Sequence, residues 1–367
     1  MASIFLLAFL TFGMMKFLRL LLLPFSLLYA LVLYIRHFLY DKRFLKSVKF
    51  DFPVIVIGNL IVGGAGKSPM TEYLARLLSK QSSVAILSRG YGRRTKGFHF
   101  VAADSAPGDV GDEPLQMKRK FPTVSVAVCE NRVMGVERLR ASHGVVLLDD
   151  AFQHRALQGG LQILLFNYHS VCQPKWVLPA GDYRDLYARR EFADIIVVTK
   201  CPLSLQEVDK KKLKAALALP RPIPVFFSCL WYGVVQPVWA APHVPTPDLK
   251  DLTNILLVTG IAQPQPLVDY LHGMGINVRH LAFADHHYYT NRDIRHIMEE
   301  FKRMDAERKI ILTTEKDAVK LREHEMGDDA LLFFYLPIEQ RFLGSDGINF
   351  DDMVIDFVKG FMNNKLN

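Results

Sequence analysis

The 367-residue chain is half hydrophobic, carries a formal net charge of +8 and has a pI near 9.2. That balance suits an anionic membrane surface or a phosphorylated substrate; the basic residues are dispersed and no recognition motif accompanies them, so nucleic acid is not an expected partner. The four cysteines, at 129, 172, 201 and 229, form no C-x-x-C pair, which argues against a zinc site or a disulfide framework and fits a reducing compartment.

The apolar excess is concentrated at the start. From Met1 to Ile35 the only charges are Lys16 and Arg19, and Leu20 to Ile35 is uncharged. As a helix that run spans about 24 Å, short of the roughly 30 Å hydrocarbon core, and Pro24 would disturb a spanning helix. A single span and a helix lying in the bilayer interface both remain open. A cleaved signal peptide does not fit, because no A-x-A-like site follows. Met15 is a natural alternative start. Arg36, His37, Lys42, Arg43, Lys46 and Lys49 follow, opposed only by Asp41, and favour a cytoplasmic face with anionic headgroups. Residues 1–40 are expected to form a membrane-anchor helix.

Beyond the anchor, β-rich runs at 54–57, 83–87, 124–128, 145–148, 161–166 and 194–198 alternate with helical patterns, which predicts an open, mostly parallel sheet covered by helices. A proline-rich passage, Pro220 to Pro247, reads as a boundary with some strand content, given its aromatic residues. Alternation then restarts with strands near 255–259, 278–283, 309–313 and 331–335 and helices near 264–274, 291–303 and 352–363. The expected architecture is α/β: the anchor, a nucleotide-binding lobe over 41–220, and a smaller α/β lobe over 221–367 that includes the C-terminal helix. A nucleotide between two lobes implies a cleft that closes.

The run Val54 to Ile57 enters a glycine-rich turn ending in Gly66-Lys67-Ser68, and a helix leaves it through Pro69. Strand, loop and helix in that order form a polyphosphate cradle. Gly63, Gly64, Ala65 and Gly66 supply backbone N–H groups, Lys67 reaches the β- and γ-phosphates, and Ser68 holds Mg²⁺. Ile61 stands where the usual pattern has glycine. The apolar strand Val145–Leu148 ends in Asp149 and Asp150, the expected carboxylates for Mg²⁺ beside a P-loop strand. Gln153, His154 and Arg155 follow on the same loop, placed to meet substrate or to pack locally.

Ser88-Arg-Gly-Tyr-Gly-Arg-Arg94 is glycine-rich and basic; Arg89 and Arg93 can grip a phosphate, or the loop is simply solvated. Gly111-Asp112-Glu113-Pro114 fits a helix entry. Asp285-His286-His287 ends a strand, where a proton relay is more credible than a metal site. Thr313 to Asp317 ends another, where α/β folds display ligand-contacting residues. Thr199-Lys200-Cys201-Pro202 opens like a guanine-reading motif but lacks its aspartate.

Taken together, Gly58 to Pro69, Ser88 to Gly92, Gly111 to Pro114, Asp149 to His154, Leu178 to Gly181 with Arg184, Gly260 to Ala262, Phe283 to His286 and Thr314 to Asp317 resemble the tetraacyldisaccharide 4′-kinase (lipid A 4′-kinase) family, in order and over nearly the whole chain. The resemblance implies a two-lobed P-loop kinase that transfers the γ-phosphate of ATP to the 4′-hydroxyl of an acylated glucosamine disaccharide 1-phosphate, with Mg²⁺, at the cytoplasmic face of a bacterial inner membrane. It implies no obligatory protein partner. Family roles map onto Asp112 as base and His286 as its assistant, with Lys67 on the phosphates; Arg89, Arg93, Gln153, His154 and Arg184 are the expected substrate contacts. The chain departs from the family pattern at Ile61, Ala65 and Ser68, where threonine is usual, at Ala151, and around Arg184, which sits in Gly181-Asp-Tyr-Arg-Asp-Leu186. A membrane-associated switch ATPase of the deviant-Walker type is the rival, but it requires a lysine where Val62 stands.

Overall fold

The computed structural model describes residue 19, residues 21–239 and residues 246–363; the start of the expected anchor, residues 1–18 and Leu20, lies outside them. The P-loop strand Val54–Asn59 is buried along its whole length. It pairs in parallel with Leu161–Asn167 on one side and Val145–Leu148 on the other. A strand covered on both faces needs side chains that are apolar on both, which is why it reads as a continuous β-branched run rather than an alternating one.

It lies in the middle of a nine-stranded sheet whose order is Ile338–Phe342, Val225–Tyr232, Ile195–Thr199, Leu161–Asn167, Val54–Asn59, Val145–Leu148, Val84–Ser88, Ser125–Val128, His99–Phe100. Only the two edge strands run antiparallel to their neighbours. The second lobe is built on a five-stranded sheet, ordered Gln236–Pro237, Phe333–Leu336, Lys309–Thr314, Asn254–Thr259, Asn277–Ala282.

The lobes do not divide the chain where the prolines suggest. Val225–Tyr232 and Ile338–Phe342 belong to the first sheet, and the C-terminal helix Asp346–Asn363 buries Phe350, Val354 and Val358 in the first lobe's core. The second lobe is therefore an insertion between two neighbouring strands of the first. Pro220, Pro222 and Pro224 precede the first of these strands instead of interrupting it, which sheet hydrogen bonding allows. Phe350 seals the return, its ring 4.5 Å from that of Phe342 and 5.7 Å from that of Phe226.

The helix Leu23–Asp41 is laid along the first lobe. Ser26 Oγ donates to Val177 O (3.0 Å) and accepts from Ala180 N (2.9 Å), Tyr29 OH donates to Arg184 O (2.9 Å), and Leu33 and His37 are buried. Phe25, Leu28, Val32 and Ile35 form an exposed apolar stripe on another face.

Phe350→Ala is expected to destabilise the protein by about 3–5 kcal/mol, whereas the exposed Ile348→Ala should change it by less than about 0.5 kcal/mol. Denaturant unfolding of the two variants checks this; equal, small effects would mean that the C-terminal helix does not complete the first core.

Candidate active site

Gly63 and Gly66 take φ of +93° and +79°, and Gly66 caps the helix Lys67–Leu78 from the left-handed region. Glycine meets that requirement without strain. Ile61 takes no positive φ and forms a bridge with Tyr183, so glycine is not needed there. Lys67 Nζ donates to Asn59 Oδ1 (3.2 Å) and lies 3.7 Å from Asp150 Oδ2. Ser68 Oγ donates to Glu113 Oε2 at 3.0 Å. Pro69 is buried in the first turn.

The paired aspartates differ sharply in their surroundings. Asp149 is buried and accepts a hydrogen bond from Thr71 Oγ1 (3.1 Å). Burial first, then the charges of Glu113 and Asp150, push its carboxyl up to about 7. Asp150, at φ +48°, is gripped by Arg184, whose Nη1 donates to Oδ2 at 3.1 Å and whose Nη2 meets Oδ1. Burial alone would raise its pKa, but Arg184 and Lys67 outweigh that and hold the carboxyl below the usual range.

Ser68, Asp149 and Asp150 fit a hard divalent cation. Negative charge converges there, Asp149 has no cationic hydrogen-bond partner, and every donor is oxygen. Among the described residues no three His, Cys, Asp or Glu side chains cage a metal by themselves; Mg²⁺ shared with phosphates and water needs no such cage.

Asp112 and His286 stand on different lobes, and the structure joins them. His286 Nδ1 lies 3.0 Å from Asp112 Oδ2, and Lys316 Nζ lies 3.0 Å from His286 Nε2. An ammonium can only donate, so Nε2 accepts and the proton sits on Nδ1, aimed at Asp112. Lys316 also lies 3.3 Å from Glu113 Oε1, and Lys320 Nζ lies 4.0 Å from Asp112 Oδ2. Burial would raise the pKa of Asp112, but His286, Lys316 and Lys320 together hold it below its ordinary value. The hydrogen bond to Asp112 raises the pKa of His286, against burial and Lys316. His286 thus reaches Asp112 across the seam between the lobes. His286 sits at φ +58°, with its own N–H donating to Asp285 Oδ1 (3.0 Å).

The other expected substrate contacts separate. His154 Nε2 is buried with no hydrogen-bond partner, and burial followed by Arg132, Arg36 and Arg89 lowers its pKa to about 4. Arg89 is exposed. Gln153 Nε2 donates to Asn59 O (2.8 Å). Arg93 does not face the site: its guanidinium is buried and donates to Glu130 Oε1 (2.5 Å) and Gly97 O (2.7 Å). The basic loop invites a phosphate reading for all its arginines, but packing under the glycine turn commits this one to its own lobe.

The sequence reading missed Asn59, which accepts from Lys67, Arg184 (2.8 Å) and, through its carbonyl, Gln153. It also gave Glu113 only a capping role. Arg132 was passed over too; it donates to Cys129 O (2.6 Å) and Asp149 O (3.3 Å), holding the carboxylate loop from behind.

Residues 18–357 match the family model described as tetraacyldisaccharide-1-P 4′-kinase. The chain belongs to the tetraacyldisaccharide 4′-kinase family. It is 40% identical over 344 residues to the tetraacyldisaccharide 4′-kinase of Phocaeicola vulgatus, covering 92% of this chain and 94% of that protein. The tetraacyldisaccharide 4′-kinase of Bacteroides thetaiotaomicron is 42% identical over 350 residues, 92% of each chain. The crystal structure of LpxK from Aquifex aeolicus in complex with ATP superposes with a TM-score of 0.70 at 32% identity, covering 93% of this chain and 99% of that one. The chain is accordingly a kinase with the family's two-lobed P-loop fold.

Asp149 generates a pH prediction. Its folded-state pKa, about 7, stands above its ordinary value of 3.8, so its ionisation costs stability progressively as pH rises between those values. Without metal or nucleotide, Asp149→Asn is expected to raise Tm at pH 8 and to have little effect near pH 4. Thermal scans at the two pH values check this; a loss of Tm at pH 8 would mean that the ionised carboxylate is well compensated.

Proposed function

We propose that this chain transfers the γ-phosphate of ATP, with Mg²⁺, to the 4′-hydroxyl of a tetraacyldisaccharide 1-phosphate at the cytoplasmic face of a bacterial inner membrane, a step of lipid A biosynthesis. The observation that carries the reading is the placement of Asp112. Its neighbour Glu113 touches the P-loop serine (3.0 Å), while Asp112 itself meets His286 of the other lobe (3.0 Å). A carboxylate at the seam between phosphate cradle and second lobe is where an acceptor hydroxyl must arrive.

Phosphoryl transfer needs charge neutralisation and alignment more than covalent chemistry. Lys67, first in its helix, reaches the phosphates with the helix dipole behind it. Mg²⁺, when bound by Ser68 and the Asp149/Asp150 pair, neutralises charge on the transferring phosphate. Asp112 stays ionised at neutral pH and accepts the hydroxyl proton as the bond from the 4′-oxygen to the γ-phosphorus forms and the bond from that phosphorus to the departing ADP breaks, a contribution of typically about 10²–10⁴-fold. His286, held as the Nδ1–H tautomer by Lys316, aims Asp112 and stabilises its charge. Arg184 fixes Asp150, and the partnerless His154 Nε2 with exposed Arg89 beside it suits the acceptor's sugar or phosphate oxygens.

The membrane side follows from the helix Leu23–Asp41. Its polar face braces the site loops, Tyr29 OH on Arg184 O (2.9 Å) and Arg36 Nη2 on Gln153 O (2.9 Å), while its apolar stripe faces outward beside exposed Phe44. This favours a helix lying in the interface over a free span. The acyl chains of the acceptor remain in the bilayer while its head group reaches the cleft.

Asp112→Asn is expected to lower kcat at least about 10²-fold with ATP affinity little changed, and to remove the acidic limb of the pH–rate profile. Steady-state kinetics with the acylated disaccharide 1-phosphate checks it. A raised Mg²⁺ or ATP requirement at near-normal kcat would instead place Asp112 in the metal shell.

Replacing Phe25, Leu28 and Val32 together by Asp should release the folded protein from membranes, since these side chains are exposed and outside the core. Sedimentation with vesicles checks it, and full retention at high salt would locate membrane attachment elsewhere.

A further inference from the structure

His37 is a buried polar residue on a helix that turns an apolar stripe outward. It lies near the end of Leu23–Asp41, and its Nε2 is 2.6 Å from Oδ1 of Asp185, which is only 1% exposed. Arg155 Nη1 donates to His37 O at 2.9 Å and lies 3.4 Å from His37 Nδ1. A guanidinium can only donate, so Nδ1 accepts and Nε2 carries its proton to Asp185. The same Asp185 oxygen accepts from Leu186 N at 2.8 Å.

Asp185 follows Arg184, and the chain is held there from two sides. Arg184 N donates to Leu60 O, where the P-loop begins (2.8 Å). From the other side, Tyr29 OH donates to Arg184 O (2.9 Å) and His37 holds Asp185. Between these anchors the Arg184 guanidinium grips Asp150 and donates to Asn59 Oδ1 (2.8 Å). Asp150 stands at φ +48°, a backbone state that persists where its surroundings hold it. A shift of the Arg184–Asp185 peptide would therefore release a carboxylate that has no other means of keeping its place for a metal.

We propose that His37 is a positioning residue for phosphoryl transfer: seated on Asp185, it makes the docking of the helix Leu23–Asp41 set where Arg184 holds Asp150. The helix reaches the carboxylate in two hydrogen-bonded steps, His37 to Asp185 and Arg184 to Asp150. His37 itself touches neither nucleotide nor acceptor. The proposal rests on the kinase reading, with Asp150 in the Mg²⁺ site.

The test uses the full chain in detergent, so that loss of bilayer attachment plays no part. ATP binding is titrated by calorimetry over a series of Mg²⁺ concentrations, and kcat and KM for the acylated disaccharide 1-phosphate are measured alongside. His37→Ala should raise the Mg²⁺ concentration for half-maximal ATP binding and lower kcat, each by about tenfold, the effect of one lost hydrogen bond to a buried charge. KM for the lipid should not change. His37→Gln, which keeps a donor at similar reach, should recover most of both losses. Leu33→Ala, buried in the apolar core from the same helix, should lower Tm and leave the Mg²⁺ dependence as in wild type. Adding Asp185→Ala to His37→Ala should cost little more than either alone.

Wild-type Mg²⁺ dependence in folded His37→Ala would overturn the assignment, as would an equal shift in Leu33→Ala or additive losses in the double variant. Should His37→Ala not fold, His37→Asn, which keeps a polar side chain but lacks the reach, replaces it under the same outcomes. If wild type binds ATP with Mg²⁺ but transfers no phosphate to the lipid, the kinase reading fails while the Mg²⁺ dependence of ATP binding still judges His37.

Discussion

Four carboxylates, Asp112, Glu113, Asp149 and Asp150, are gathered where the P-loop helix begins, and the rest of the structure depends on balancing them. Such crowding is costly in a partly buried site unless each charge finds a cation or a hydrogen-bond donor. Asp150 is answered within the first lobe by Arg184 and Lys67. Asp112 and Glu113 are answered from the second lobe, by His286, Lys316 and Lys320. Asp149 has a threonine hydroxyl as its hydrogen-bond partner, and the charge of Lys67 does not offset its burial. The deficit therefore sits at the start of the P-loop helix.

The second lobe contributes the cations that hold Asp112 charged, and it is inserted between two adjacent strands of the first sheet. The helices Asp112–Lys120 and Glu315–Leu321 pack together at the seam. At its far end Lys120 joins Glu72 of the P-loop helix (2.7 Å) to Glu315 (2.8 Å). Burial, opposed by Lys120, raises the pKa of Glu72 to about 7, so this second ionic tie is tightest when Glu72 is ionised. On the opposite flank the helix Leu23–Asp41 hydrogen-bonds the backbones of Arg184 and Gln153. This helix and the site loops are thereby linked through few, short contacts.

Much of the site was legible because its chemistry sits at strand ends, where residue type and position together carry meaning. The P-loop, Asp149 and Asp150 were read from a buried β-branched strand, a glycine turn and an apolar run ending in acids. Asp112 and His286 were placed as partners only through the family resemblance, since 174 residues separate them and no periodicity links them. Asn59 was invisible: it ends a buried strand like any polar terminator, and its value lies in accepting from groups on three separate segments. Arg93 misled because the composition of a basic loop does not say which arginine folds under it. The lobe boundary failed for a similar reason, since prolines mark where pairing stops and not which sheet resumes afterwards.

The most direct test follows the label from γ-labelled ATP incubated with the purified protein, Mg²⁺ and tetraacyldisaccharide 1-phosphate in detergent. The account predicts that label enters the lipid as a 4′-phosphomonoester, that little is released without the lipid, and that Lys67→Ala abolishes transfer in a folded protein. Label appearing as inorganic phosphate, with or without the lipid and never within it, would contradict the account and make the chain an ATPase.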